Sequence, residues 1–205
     1  MNRANAFVFS VLMTAATYAF AAGDSQGPAS AATAPSATPS TTAAEAAQFD
    51  FLLGDWTIEA RPKVSGLVGM IHGSPRIIGT WTAKRSADGA GIDDELTMLD
   101  PSGNPIAQNH AHRVYDAAGK RWKISETDDV RKRTSESTAH WTGGDVEIEG
   151  RVTYAGDEAF LGRMRIYAIT ANGFHVRQDR STDDGKTWEE GAMTIDATRT
   201  ADSAH

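Results

Sequence analysis

From Phe49 onward, apolar and polar residues alternate with a period of two, and Gly, Asn or Asp interrupts them every roughly eight to twelve positions. Almost no stretch holds the spacing of an amphipathic helix. The pattern predicts strands over Phe51–Arg61, Arg76–Arg85, Ile92–Leu99, Ile106–Tyr115, Arg121–Thr127, Arg131–Trp141, Val146–Tyr154, Leu161–Thr170, Phe174–Ser181 and Gly191–Thr200. Turn chemistry separates them at Asp88-Gly89, Asp100-Pro101-Ser102-Gly103, Ala118-Gly119, Gly143-Gly144, Asn172-Gly173 and Asp184-Gly185, where Gly, Asn and Asp tolerate positive φ. About ten strands in hairpin order predict an all-β, antiparallel up-and-down barrel. Two packed sheets are the alternative, but closure leaves no exposed edge strand. The segment from Pro62 to Ser74 is Gly- and Val-rich without alternation. It reads as a long loop able to fold over an open end as a lid, or as an irregular strand.

The chain before Phe49 has another character. Arg3, the apolar stretch Ala6 to Ala16 and the small-x-small run Ala19-Phe20-Ala21 read as a secretory signal peptide over residues 1–21. The apolar run is shorter than the roughly 20 residues a membrane span needs. Residues 22–47 are rich in Ala, Ser, Thr and Pro and bury too little to offset ordering, so they read as a disordered linker, with a helical turn over Ala43 to Gln48 as an option. The barrel domain is placed at 48–200, with 201–205 frayed.

Composition narrows the partners. The 205 residues include no cysteine, which excludes a disulfide, a thiolate metal site, a lipid on Cys and a thiol nucleophile. The net charge of −7 comes with Lys and Arg scattered among acids, which provides no footprint for nucleic acid or for an anionic membrane. A soluble form, periplasmic or secreted, with no membrane insertion after signal removal, is the expectation.

Strand parity nominates an interior. Grouping Ile106 and Val114 places Gln108, His110 and His112 inward, and Asn109 and Arg113 outward with Ala107, Ala111 and Tyr115. In the next strand Trp122, Ile124 and Glu126 share the inner face. Asp94, Met164, Gln178 and Arg180 fall inward by the same reasoning, as does Trp81. An interior of Trp, Met, Ile and Val with a few polar groups resembles a ligand pocket. The competing reading is a filled barrel in which Glu126 and Arg180 form a buried ion pair.

His110-Ala111-His112 offers two imidazoles on one strand face, the spacing by which a strand presents two metal ligands, with Glu126 as a third. Haem ligation through one of these or through His175 would resemble the nitrobindin-type barrels, although the parity of His175 points outward. A His–Glu pair inside a barrel also suits acid–base work by an isomerase or cyclase, if a substrate reaches it. No Gly-x-Ser-x-Gly, P-loop or dinucleotide glycine pattern is present. Ser181–Trp188 lacks the spacing of a calcium loop and reads as a tight turn.

Phe49-Asp50-Phe51-Leu52-Leu53-Gly54-Asp55-Trp56, the Asp-Gly-Lys-Thr-Trp ending of the turn at Trp188 and the closing Ala197-Thr198-Arg199 resemble a bacterial family of exported, calycin-like (lipocalin-like) barrels of unknown function (DUF1579-like). The resemblance covers about Phe49 to Thr200. It implies that Trp56, after Gly54, packs beneath Arg199 in a cation–π stack that closes the barrel. It transfers no catalytic residue. The expectation is an exported barrel binding a small, mostly apolar molecule through Trp81, His110, His112, Trp122, Glu126, Met164, Gln178 and Arg180. The cofactor and the oligomeric state stay open, and the haem or metal barrel and the cavity-based isomerase or cyclase are the alternatives.

Overall fold

Alternate side chains of ten antiparallel strands turn toward a common interior, and the sheet they form closes on itself. The computed structural model describes residues 41–64, 66, 71, 73–154 and 159–201. The predicted signal peptide, the linker up to residue 40, residues 65, 67–70 and 72 of the segment suggested as a lid and residues 202–205 lie outside the described residues. The strands are β1 (Gly54–Pro62), β2 (Ile77–Arg85), β3 (Gly91–Leu99), β4 (Pro105–Asp116), β5 (Arg121–Asp128), β6 (Arg133–Thr142), β7 (Asp145–Tyr154), β8 (Phe160–Tyr167), β9 (Gly173–Ser181) and β10 (Glu189–Arg199). Each pairs with its neighbour in sequence, and β1 pairs with β10 to complete the ring. Every one of these strands therefore has a partner on both sides, which removes the hazard that an open sheet of this length would carry.

Burial follows the period of two. Trp56, Ile58 and Ala60 of β1 are buried, as are Ile77, Trp81 and Ala83 of β2 and Phe174 and Val176 of β9. The chain enters the barrel through a helix, α1 (Thr41–Ala46), and a 3-10 turn at Asp50–Leu52. The helix occupies part of the stretch assigned to the linker, and side chains explain why it is held. Tyr115 donates its hydroxyl to Glu45 Oε2 at 2.6 Å, and Trp122 Nε1 donates to Gln48 Oε1 at 3.3 Å.

Phe49, Phe51 and Leu52 thereby plug one end of the barrel. Phe49 meets Trp122 edge-on at 4.9 Å between centroids, Phe51 meets Phe174 at 5.5 Å, and Phe174 meets Trp56 at 4.8 Å and Trp81 at 5.6 Å. Offset and edge-to-face rings of this kind add to the stabilisation that their buried area supplies. Trp56 Nε1 donates to Leu52 O at 2.7 Å, so its one polar side-chain atom is satisfied inside the plug. The tight turn at Ser181–Trp188 is organised by Asp183, which accepts from Ser181 Oγ, Thr187 N and Thr187 Oγ1; these bonds hold its pKa down at about 2.

Candidate functional site

Above the aromatic plug, side chains leave a cavity of about 400 Å³. Its deep end is bounded by Trp81, Asp94 and Arg113, and its other end by Pro62, Lys63, Arg133, Arg180 and Glu189. Two opposite walls differ in chemistry. One, from β3 to β6, carries Asp94, Asn109, Arg113, Glu126, Ser135 and Ser137. The facing wall is largely apolar, with Met164, Val176, Met193 and Ile195, and Arg163, Gln178 and Asp179 are polar residues on that side. Gly150 of β7 and Gly162 of β8 are cross-strand partners and both line the cavity, which widens it where two side chains would otherwise meet.

The polar wall is built from two ion pairs with an amide–carboxyl pair between them. Arg113 donates from Nε to Asp94 Oδ2 at 2.5 Å and from Nη2 to Oδ1 at 3.1 Å, and Trp81 Nε1 donates to Oδ1 at 2.8 Å. Both charged side chains are nearly inaccessible, 5% and 3% exposed. Burial opposes the Arg113 charge, but Asp94 outweighs it and the guanidinium pKa is raised. Nearer the wide end, Asp128 accepts from the backbone N–H of Gln108, Val130 and Arg131, and its other oxygen lies 3.1 Å from Arg133 Nε. Asp128 therefore sets the β5–β6 turn and places Arg133 at the cavity rim.

Between these two pairs, Asn109 Nδ2 donates to Glu126 Oε1 at 2.9 Å. Asn109 is 9% exposed, and its Oδ1 is buried with no hydrogen-bond partner among the described residues. Burial pushes the Glu126 pKa up; Arg113 and Arg133 oppose that rise, and Asp94 and Asp128 reinforce it.

The residues nominated from sequence separate into three sets. Trp81, Glu126, Met164 and Gln178 line the cavity, and Arg180 stands at its wide end. Arg180 pairs with Glu189 at 2.7 Å rather than with Glu126, so the buried Glu126–Arg180 pair considered for a filled barrel does not form. Trp122 is buried inside the barrel but belongs to the plug, packed on Phe49 and Tyr115.

His110 and His112 are a correction. They face outward, with side chains 44% and 47% exposed, and Gln108 goes with them on the outer face, where it donates to Glu95. His112 Nδ1 lies 2.7 Å from Asp93 Oδ1, and His110 Nε2 lies 3.5 Å from Asp129. The parity of β4 is inverted because Ala107, Asn109, Ala111 and Arg113 are the buried set. The small alanines leave room for the Arg113–Asp94 pair, and Ile106 and Val114 are only partly buried on the other side. Asn109 and Arg113 are accordingly the residues that sequence reasoning missed. Their signal was Tyr115, which shares their parity and packs against Trp122.

This inversion also separates the proposed His112–Glu126 acid–base pair, whose members lie on opposite faces of the sheet. His175 is exposed beside Asp196, and no histidine lines the cavity among the described residues. No group of three His, Asp or Glu among the described residues is arranged to hold a metal ion. No described helix is long and apolar enough to cross a membrane.

Gly54, Trp56 and Arg199 meet at the plugged end. Arg199 lies 4.1 Å over the Trp56 ring and donates to the carbonyls of Leu53, Phe51 and Ala171. Gly54 has φ of +109°, and a Cβ there would stand 2.6 Å from Arg199 Nη1, so glycine is required on both counts. The architecture is that of a calycin-like barrel. The chain matches no protein-family model and no curated protein.

Proposed function

We propose that this chain is an exported binding barrel, periplasmic or secreted, that holds a small and mostly apolar molecule in its interior. The single observation that carries the reading is the cavity of about 400 Å³ between the aromatic plug and the wide end, with an apolar wall facing buried polar groups. Sites for small molecules have this size and this mixture, in which apolar area supplies affinity and a few polar groups fix orientation. Removal of residues 1–21 would release it as a soluble protein. Kinship with the exported DUF1579-like barrels belongs to the same proposal, supported by the stack of Arg199 on Trp56.

The test is native mass spectrometry of the mature protein isolated from its own host, with a denatured control, beside a Gly162→Phe variant. A Cβ at Gly162 meets nothing within 4 Å and Gly162 lines the cavity, so a ring placed there is expected to take up cavity volume. The expected result is a stoichiometric extra mass on the wild type that is absent from a folded Gly162→Phe variant. An adduct retained by the filled barrel would place binding elsewhere and overturn the reading.

A further inference from the structure

Glu126 and Asn109 form an incomplete polar pair in the cavity wall. Asn109 Nδ2 serves Glu126 Oε1, which leaves Asn109 Oδ1 buried without a donor among the described residues. A buried acceptor left unpaired costs about 1–3 kcal/mol, so a ligand able to supply the missing hydrogen gains that differential. Arg113 and Arg133 favour the ionised form of Glu126, and Asp94 and Asp128 oppose it. Burial is the largest of the influences on Glu126 and favours its protonated form. A protonated carboxyl presents one O–H donor. Beside the Asn109 carbonyl, the wall then offers one donor and one acceptor together.

We propose that this pair is the polar anchor of the cavity and that the ligand is an uncharged molecule carrying an amide-type edge, an N–H donor beside a C=O acceptor, on an apolar body. The inference rests on the cavity being a binding site. The N–H meets Asn109 Oδ1, the C=O meets the Glu126 hydroxyl, and the apolar body lies against Met164, Val176 and Ile195. A cationic ligand is disfavoured on entry, because Lys63, Arg131, Arg133, Arg163 and Arg180 outnumber Asp179 and Glu189 around the cavity. A carboxylate is disfavoured because it carries no donor for Asn109 Oδ1.

Three probes of one shape decide it: benzamide, benzoate and benzamidine, titrated by NMR into the mature protein near neutral pH, with toluene as the apolar reference. The expected order places benzamide about ten-fold or more ahead of each of the others, the effect of satisfying one buried group. Asn109→Leu and Glu126→Leu each lose that preference. Glu126→Gln, which keeps a donor and an acceptor, retains it, and this distinguishes an anchor from a merely structural carboxyl. If the leucine variants fail to fold, Glu126→Gln and the probe order still decide. Tightest binding by benzamidine, lost in Glu126→Gln, would overturn the proposal by showing an ionised Glu126. Toluene binding as well as benzamide, with both lost in Gly162→Phe, would overturn the anchor and leave the binding barrel standing. Binding of no probe would overturn both.

Discussion

Arg199, the last residue of β10, lies with its guanidinium 4.1 Å above the ring of Trp56 in β1, directly across the strand pair that closes the barrel. The same guanidinium donates to two carbonyls of the chain leading into β1, those of Leu53 at 2.9 Å and Phe51 at 3.3 Å. One side chain thus ties the end of the domain to the plug at its beginning. A fork of several donors is needed for this, which a lysine ammonium cannot reproduce.

Replacing Arg199 by alanine is expected to lower the unfolding free energy by about 2–4 kcal/mol, since it removes charge-assisted hydrogen bonds and the ring contact together. Arg199→Lys recovers only part of that loss. Urea denaturation of the three proteins measures it. Equal stability of wild type and Arg199→Ala would show that the plug holds without this tie.

Asp94 and Arg113 provide a second prediction. Asp94→Asn leaves the Arg113 charge buried without its partner and is expected to cost about 3–5 kcal/mol. Adding Arg113→Met to that variant removes the orphaned charge, while the amide oxygen introduced by Asp94→Asn still accepts from Trp81, and most of the stability returns. A double-mutant cycle by denaturant unfolding reads the coupling. Additive effects of the two substitutions would contradict a coupled pair.

Glu126 makes stability depend on pH with a sign opposite to that of a salt-bridged carboxylate. Its folded pKa is raised by burial, so the folded state retains a proton that the unfolded chain gives up near pH 4.5. The contribution is fully present below that pH and is lost as pH rises through the folded value, because there the folded state binds more protons than the unfolded one. Wild type is therefore expected to lose stability relative to Glu126→Gln as pH is raised from about 4 toward about 8. Thermal melts of both proteins across that range test it, and a pH-independent difference would show that Glu126 titrates normally. Asp183, held at about 2, works in the opposite sense: its contribution is present above its unfolded value and disappears as pH falls through the folded one.

The paired glycines of β7 and β8 are expected to respond unequally. A Cβ at Gly150 would stand 2.3 Å from Ser137 Cβ and 2.5 Å from Glu136 O, whereas one at Gly162 meets nothing within 4 Å. Gly150→Ala should cost about 1–3 kcal/mol through overpacking. Gly162→Ala should be neutral or stabilising by up to about 1 kcal/mol, because it restricts the unfolded chain. Melting temperatures of the two variants check this, and a Gly162→Ala variant as damaged as Gly150→Ala would refute the open space at that position.

Strand number, hairpin order and the approximate boundaries of every strand were legible in the chain. They depend on local properties, the period-two alternation and the Gly, Asn and Asp residues that turns require. The stack of Trp56 under Arg199 was legible as well, although from resemblance rather than from periodicity. Much of the site was not. In Ile106–Tyr115 both faces carry apolar and polar residues, so alternation proves a strand without saying which side is inner. The parity that unites Ile106 with Val114 selected His110 and His112 and discarded Asn109 and Arg113, the reverse of what the structure shows.

By itself, then, the sequence determined that the chain is a run of amphipathic hairpins with an aromatic entry segment, because each of those features is decided within a few residues. Only the tertiary structure decided which face of β4 turns inward. That choice is made by closure. β3 brings Asp94 to the interior, where a carboxylate needs a partner, and the guanidinium that reaches it deep in the barrel is that of Arg113. Burying Arg113 carries Asn109 inward beside Glu126 and sends both histidines to the surface, since one residue of register exchanges every side chain of a strand between the two faces.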